Sequence, residues 1–181
     1  MKVTIRKTIK KDLQKVYDLQ CRCFSQNDAW YKSSVSNYLK NGLVIETENN
    51  KIIGVLLQGK MTPCDKTNVL METLNYKQDV FEPVSETGKY FLENDLHHEE
   101  IHGIVLICVD EDYRGRGLAQ KLIEKHFLQN KNKILCLNTR RSNINAFKLY
   151  KKMGYEHIAY IKNKYFLPDE DSIFMIKNTA E

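Results

Sequence analysis

Proline is scarce in this sequence, with 3 among 181 residues, and glycine numbers only 8. That composition excludes a collagen-like repeat and a proline-rich linker. No apolar run reaches the ~18–20 residues that a membrane-crossing helix needs, so no membrane association is expected. The opening stretch, Met1 to Gln14, lacks the apolar segment of a secretory signal, and Asp12 fits a transit peptide poorly. A disulfide framework is not signalled either. The cysteines are Cys21, Cys23, Cys64, Cys108 and Cys136, an odd number, and Cys108 and Cys136 lie in apolar runs. A reduced, intracellular (cytoplasmic) protein fits that pattern better than a disulfide framework. Cys21 and Cys23 form C-x-C, not the C-x-x-C of zinc ribbons and thioredoxin-type sites. No internal repeat or low-complexity tract is present.

What remains is an ordinary globular composition, 42% apolar and 28% charged, at a length suited to one domain. We expect a single domain over 1–181, with an irregular or helical insertion at about 61–100. Pro63, Pro83 and Gly88 break that insertion, and short helices are expected at Asn68–Tyr76 and Lys89–Leu96. The net charge of +5 is unevenly spread. Met61 to Asp112 carries 12 acidic and 3 basic residues, whereas Arg114 to Lys164 carries 13 basic and 2 acidic. The basic part suits phosphates and the acidic part a cation, although two solvated faces would also account for the split.

The periodicity predicts a strand at Val3–Ile9 and then a helix with Asp12 as N-cap and Leu13, Val16, Leu19 and Cys23 on one face. A short helix follows at Ser33–Leu39. Leu43–Glu48 and Lys51–Gln58 read as a hairpin turning at Asn49-Asn50. Ile104 to Val109 is a continuous apolar run, as in a strand covered on both faces. A helix over Gly117–Gln129, a strand at Lys133–Leu137 and a helix over Asn143–Met153, stopped by Gly154, come next. Tyr155–Ile161 and Ser172–Ile176 read as closing strands. Strand, helix, strand, helix, strand implies a parallel pair with a right-handed crossover, so the sheet is mixed.

The segment Arg114-Gly115-Arg116-Gly117-Leu118-Ala119 joins a covered strand to a helix N-terminus. Glycines there let the backbone turn tightly and approach a ligand. The first amides of the helix have no internal partner, and the helix dipole adds positive charge, so a pyrophosphate fits. Two arginines add cationic forks. The segment is neither a Walker A sequence nor a G-x-G-x-x-G, and a glycine-rich turn is often only a tight connection. A second constellation runs from Asn143 through Ala146, Phe147 and Tyr150 to Gly154-Tyr155; alone it is an ordinary amphipathic helix with a glycine stop.

Taken together, Arg-x-x-Gly-x-Ala, a strand, and Asn-x-x-Ala-x-x-x-Tyr-x-x-x-Gly-Tyr resemble the GNAT superfamily of acetyl-CoA-dependent N-acetyltransferases. The likeness is specific between Ile104 and Tyr155. Cys23-Phe24 with Trp30-Tyr31-Lys32-Ser33, and Tyr165-Phe166 with Glu170-Asp171-Ser172-Ile173-Phe174-Met175, are similar to segments of the N-terminal protein acetyltransferases, including those of ribosomal-protein alanine. The resemblance implies an α+β fold, with a mixed, twisted sheet of six to seven strands and helices on both faces. It implies that Arg114, Gly115, Arg116, Gly117, Leu118 and Ala119 hold the coenzyme pyrophosphate. Ile107, Cys108 and Val109 would face the pantetheine arm, where an amide could polarise the thioester carbonyl. Asn143 would touch the coenzyme, and Tyr150 would protonate the departing thiolate. The acceptor would lie near Trp30, Tyr31, Asn138, Tyr165 and Phe166, although those aromatics serve equally well as packing.

The chain departs from the family at the general base. Where related sequences carry Glu or His, five residues before the helix Asn, this chain has Asn138; where others place a strand-leading Glu, it has Gly103. His102 and Glu99 are the candidates for that role, against an ordinary loop-charge reading. A weak base favours an acceptor of low pKa, so a protein or peptide N-terminal α-amine is slightly preferred over a lysine. A polyamine or aralkylamine is the alternative, suited by the acidic segment. Acetyl-CoA is the cosubstrate, and no metal is expected. His98-Glu99-Glu100-Ile101-His102 fits H-E-x-x-H, but in a strand positions i and i+4 stand ~13 Å apart and cannot share a zinc ion. A nucleic-acid-binding module is a rival reading, but the basic stretch has no stacking platform at recognisable spacing. A non-catalytic acyl-CoA-binding domain is another. The chain would act as a monomer or homodimer.

Overall fold

The computed structural model describes residues 2–26, 28–61, 81–95, 101–166 and 168–179. In chain order the elements are β1 (Val3–Lys7), α1 (Leu13–Cys23), α2 (Lys32–Leu39), β2 (Leu43–Thr47), β3 (Ile52–Met61), β4 (Phe81–Pro83), α3 (Glu86–Tyr90), β5 (Ile101–Val109), α4 (Leu118–Gln129), β6 (Ile134–Arg140), α5 (Ile144–Lys152), β7 (Glu156–Phe166) and β8 (Asp169–Asn178). Among the described residues these are eight strands and five helices, an α+β arrangement. The expected six to seven strands become eight because β4 forms inside the stretch assigned to an irregular insertion. Three residues ending in a proline carry too little pattern to be read as a strand, and β4 exists only through its antiparallel pairing with β7. The insertion is accordingly not wholly irregular. Beyond β4, α3 passes into a π-helical turn, Phe91–Asp95, where a helix over Lys89–Leu96 was expected. The helix expected at Asn68–Tyr76 lies outside the described residues.

The chain divides into two compact units. The first comprises Met1–Gly59 and Ile104–Gln129. In it β1 pairs antiparallel with β2, and β2 with β3. The β2–β3 hairpin turns through Glu48 to Lys51, longer than the two-residue turn expected, with Asn50 left-handed at φ 57. Asparagine tolerates that region because its short side chain bonds locally. Helices α1 and α2 bury Val16, Leu19, Val35 and Leu39 against Val44, Val55, Leu57, Leu106 and Cys108. The apolar spacing of α1 holds, but its cap differs. Asp12 makes no side-chain cap; it closes a 3-10 turn over Lys10–Asp12 and accepts from the Ile9 amide at 2.8 Å. Its carboxylate is paired with Arg6 at 2.7 Å, and Arg6 also reaches Glu46 at 2.8 Å. A full countercharge from β1 competes with helix-end amides for the same oxygens and fixes the carboxylate there.

The second unit comprises Lys60–Gly103 and Asn130–Glu181. Here β6 pairs with β8 and β8 with β7, all antiparallel. Phe91, Ile134, Cys136, Ile158, Ala159, Ile161 and Phe174 form its core. Strands β6, β7 and β8 run longer than their apolar stretches suggested, because polar residues continue the ladder to Arg140↔Ser172 and Phe166↔Asp169. Gly88 sits where a Cβ would strike the Ile158 carbonyl, so α3 lies directly on β7.

Candidate active site

The turn after β5 is built within the first unit. Asp110 caps a short 3-10 turn, Glu111–Tyr113, by accepting from the Asp112 amide at 3.4 Å. Its carboxylate also meets Arg22 at 3.3 Å and Lys51 at 3.5 Å. Burial pushes its pKa up, but Lys51, Arg22 and the Asp112 amide outweigh that and hold the carboxyl below its ordinary value. Arg114 donates its Nε to the Val109 carbonyl at 3.0 Å. Arg116 donates to the Asp112 carbonyl at 3.3 Å and stands over the Tyr113 ring at 5.5 Å, which Lys51 also approaches. Both arginines therefore brace the turn as well as charging it.

Gly115 and Gly117 have φ of 73 and 71, a region costly for other residues. Nothing stands within 4 Å of where a Cβ would sit on either. All four residues from Arg114 to Gly117 are exposed. The first helical bond of α4 runs from the Lys121 amide to the Gly117 carbonyl, so the amides of Leu118, Ala119 and Gln120 precede the ladder. An open glycine turn with free helix amides and fixed cations is a place for a diphosphate. Asp110, Arg22, Lys51 and Tyr113 did not stand out in the sequence. Only Asp110, directly after a covered strand, carried a local signal; Arg22 and Lys51 come from distant segments. Along β5, Cys108 and Val109 are buried and Ile107 is partly covered.

The remaining candidates fall in both units. Asn143 is the N-cap of α5, its Oδ1 accepting from the Ala146 amide at 3.2 Å. Tyr150, on α5, is 6% exposed and meets Tyr155 edge-on at 5.9 Å between centroids. Burial, aided by Tyr165, pushes its phenol well above the ordinary value, so it stays protonated at neutral pH. Tyr165 lies under the Arg140 guanidinium at 4.1 Å, and Arg140 also pairs with Glu170 at 3.2 Å. Glu170 accepts from both the amide and the hydroxyl of Ser142, which secures the turn leading into α5. Asn138 is half-buried on β6, opposite Phe174 of β8.

Phe166 ends β7 opposite Asp169. In the first unit, Trp30 has its amide and carbonyl both bonded to the Gln20 side chain, at 2.9 and 3.0 Å, and packs on Tyr38. Trp30 is thus tied into the core, while Tyr31 is 83% exposed. Of the two base candidates, His102 begins β5 with its Nε2 2.9 Å from the Lys133 ammonium. Glu99 lies outside the described residues, as does His98 of the H-E-x-x-H pattern. His102 stands on a strand. Among the described residues no group of three His, Cys, Asp or Glu could hold a metal ion, and no helix is long and apolar enough to cross a membrane.

A family model described as acetyltransferase (GNAT) domain matches residues 82–157. The ribosomal-protein-S18-alanine N-acetyltransferase of Escherichia coli superposes with a TM-score of 0.69 at 19% identity, covering 99% of this chain and 96% of that one. NAA60 of Arabidopsis thaliana, in complex with acetyl-CoA, gives 0.73 at 15% identity, over 98% and 99%. An N-acetyltransferase from Staphylococcus aureus Mu50 gives 0.67 at 16% identity, over 99% of each. At such identities the likeness shows the fold. No curated protein matches the sequence. The chain therefore has the GNAT fold, and its residues 82–157 match the model of a GNAT acetyltransferase domain. The matched model and these similar structures are those of acetyltransferases, one of them holding acetyl-CoA.

Proposed function

We propose that the protein transfers the acetyl group of acetyl-CoA directly to the α-amine of a protein or peptide N-terminus. The observation that carries the donor side is the open Gly115–Gly117 turn at the free amides of α4. In this reading those amides and Arg114 and Arg116 hold the pyrophosphate, and the β5 backbone from Ile107 to Val109 holds the pantetheine arm. The amine nitrogen attacks the thioester carbonyl carbon, the C–S bond breaks, and Tyr150 gives its proton to the departing thiolate. No enzyme thiol takes the acetyl group in passing.

The acceptor assignment follows from the base. Asn138 cannot take a proton, and the Nε2 of His102 faces an ammonium. An α-amine of pKa ~7.8 is neutral in about one molecule in seven at pH 7, whereas a lysine at ~10.4 is neutral in about one in 2,500, a difference near ~3.5 kcal/mol between the two acceptors. A site with little basic assistance works on the former. Two proteins of similar fold, the ribosomal-protein-S18-alanine N-acetyltransferase and the NatC complex bound to Gag peptide and CoA, have a protein or a peptide as partner, which supports the same choice. A screen of N-terminal peptides, lysine peptides, polyamines and aralkylamines tests it. N-terminal peptides are expected to give the highest kcat/KM. Preferential turnover of a polyamine would transfer the reading to small amines, the alternative that the acidic stretch from Met61 to Asp112 suits.

A further inference from the structure

Two thiols of the first unit have no place in acetyl transfer. Cys23 is the last residue of α1, and Cys108 is the last but one of β5. Cys108 lies in the core cluster under α1 and α2 and Cys23 packs against it, with the Cys23 sulfur 3.5 Å from the carbonyl of the residue that follows Cys108. Cys108 is buried and Cys23 half-buried, so only Cys23 meets solvent. The Cys23 thiol donates to the Val109 carbonyl at 3.5 Å, and that carbonyl is the one Arg114 also holds. One residue before Cys23, Arg22 is paired with Asp110 of the same turn.

We propose that Cys23 and Cys108 are an oxidisable dithiol whose disulfide alters the Val109–Arg114 anchor of the glycine turn. The two thiols divide the chemistry. The Cys108 thiol donates to Cys23, and with Arg114 nearby this outweighs burial and lowers Cys23 to about 7. The Cys23 sulfur, together with burial, pushes Cys108 well above its ordinary value. Cys23 is then the attacking thiolate and Cys108 the resolving thiol. With a hydroperoxide as oxidant, the Cys23 sulfur attacks the terminal oxygen. An S–O bond forms, the O–O bond breaks, and the leaving oxygen takes a proton from solvent. Cys108 next attacks the sulfenic sulfur of Cys23; the S–S bond forms, the S–O bond breaks, and water leaves carrying the thiol proton. The peroxide gains two electrons and the dithiol loses two. The disulfide removes the S–H donor from the Val109 carbonyl and ties the end of α1 to β5.

The effect on acetyl-CoA rests on the coenzyme assignment proposed above; the formation of the disulfide does not. The test treats the full chain with hydrogen peroxide, maps cysteines by mass spectrometry without reduction, and measures acetyl-CoA affinity of reduced and oxidised protein by calorimetry. The expected result is a linked Cys23–Cys108 peptide pair, two hydrogens lighter and reversed by dithiothreitol, with affinity weakened about tenfold. Cys108→Ser is expected to stop at a sulfenic acid on Cys23 that dimedone traps, and Cys23→Ser to leave Cys108 reduced at the same dose. The wild-type mapping does not depend on either variant folding. Oxidation falling first on Cys21 or Cys136, or carrying Cys23 to sulfinic acid with Cys108 free, would overturn the dithiol. A disulfide with unchanged affinity would overturn its link to the turn. Reduced protein that fails to bind acetyl-CoA would instead overturn the coenzyme assignment and leave the thiol mapping to be judged on its own.

Discussion

Replacing Tyr150 with Phe separates chemistry from packing at one atom. The ring is 6% exposed and packs edge-on against Tyr155, and Phe keeps both features. The Tyr150 hydroxyl is not one of the buried unpartnered atoms among the described residues. Its removal therefore relieves no buried unsatisfied group and should change stability by no more than about 1 kcal/mol. In a chain of this length that is a shift in Tm of no more than roughly 2–4 °C. Turnover should respond far more strongly. A positioned general acid contributes ~10²–10⁴ in rate, and a phenol whose pKa burial has raised remains protonated through the neutral range. Wild-type kcat should therefore show no loss of this acid between pH 6 and 9, while Tyr150→Phe loses about a hundredfold or more at every pH, with little change in the KM for acetyl-CoA. Thiol release followed by a disulfide reagent reads kcat, and differential scanning calorimetry reads Tm. Full turnover in the variant would remove Tyr150 from the mechanism. A fall in Tm of several degrees would show that the hydroxyl has a partner and that its role is structural.

The glycine turn allows a similar separation. Gly117→Asp meets open space, and an aspartate at the N-cap of α4 suits the helix dipole, so the strain of its positive φ, ~1 kcal/mol, is largely offset. Melting should move little while acetyl-CoA affinity falls by at least about tenfold, read by calorimetry; retained affinity would contradict the pyrophosphate assignment. The Arg6 network predicts the response to acid. Asp12 and Glu46 both sit below their ordinary values: burial raises Asp12, but Arg6 and the Ile9 amide outweigh it, and Glu46 is lowered chiefly by Arg6. Groups with depressed folded pKa stabilise the fold above their unfolded values of ~3.9 and ~4.3, and that contribution is lost as pH falls through the lower folded ones. Urea midpoints should stay flat from pH 5 to 8 and drop below about pH 4. Arg6→Met, which strands the buried Asp12, should cost roughly 3–5 kcal/mol at pH 7 and much less at pH 3; equal losses at both would refute the ion-pair account.

Much of the donor side could be read from the chain because it is local. A covered strand, two glycines and a helix start are consecutive, so backbone sterics and unpaired helix amides specify the turn without help from distant residues. The α5 cap and stop are equally local: Asn143 bonds three residues ahead, and Gly154 takes φ 83 where a Cβ is disfavoured. The interactions bracing these features are not local. Arg22 and Lys51 reach Asp110 from α1 and the β2–β3 hairpin, and Arg140 stacks on Tyr165 from another strand. No periodicity encodes such pairs, since each depends on two segments arriving at one place. Asp12 marks the difference. By sequence it is an N-cap, and a guanidinium from β1 takes its oxygens instead. Trp30 and β4 follow the same rule: Trp30 stood out as a residue and β4 did not stand out at all, and in both cases the packing or pairing was decided by neighbours elsewhere in the chain. Short-range sterics and helix-end electrostatics are written in adjacent residues; desolvation and charge pairing exist only once the chain has closed on itself.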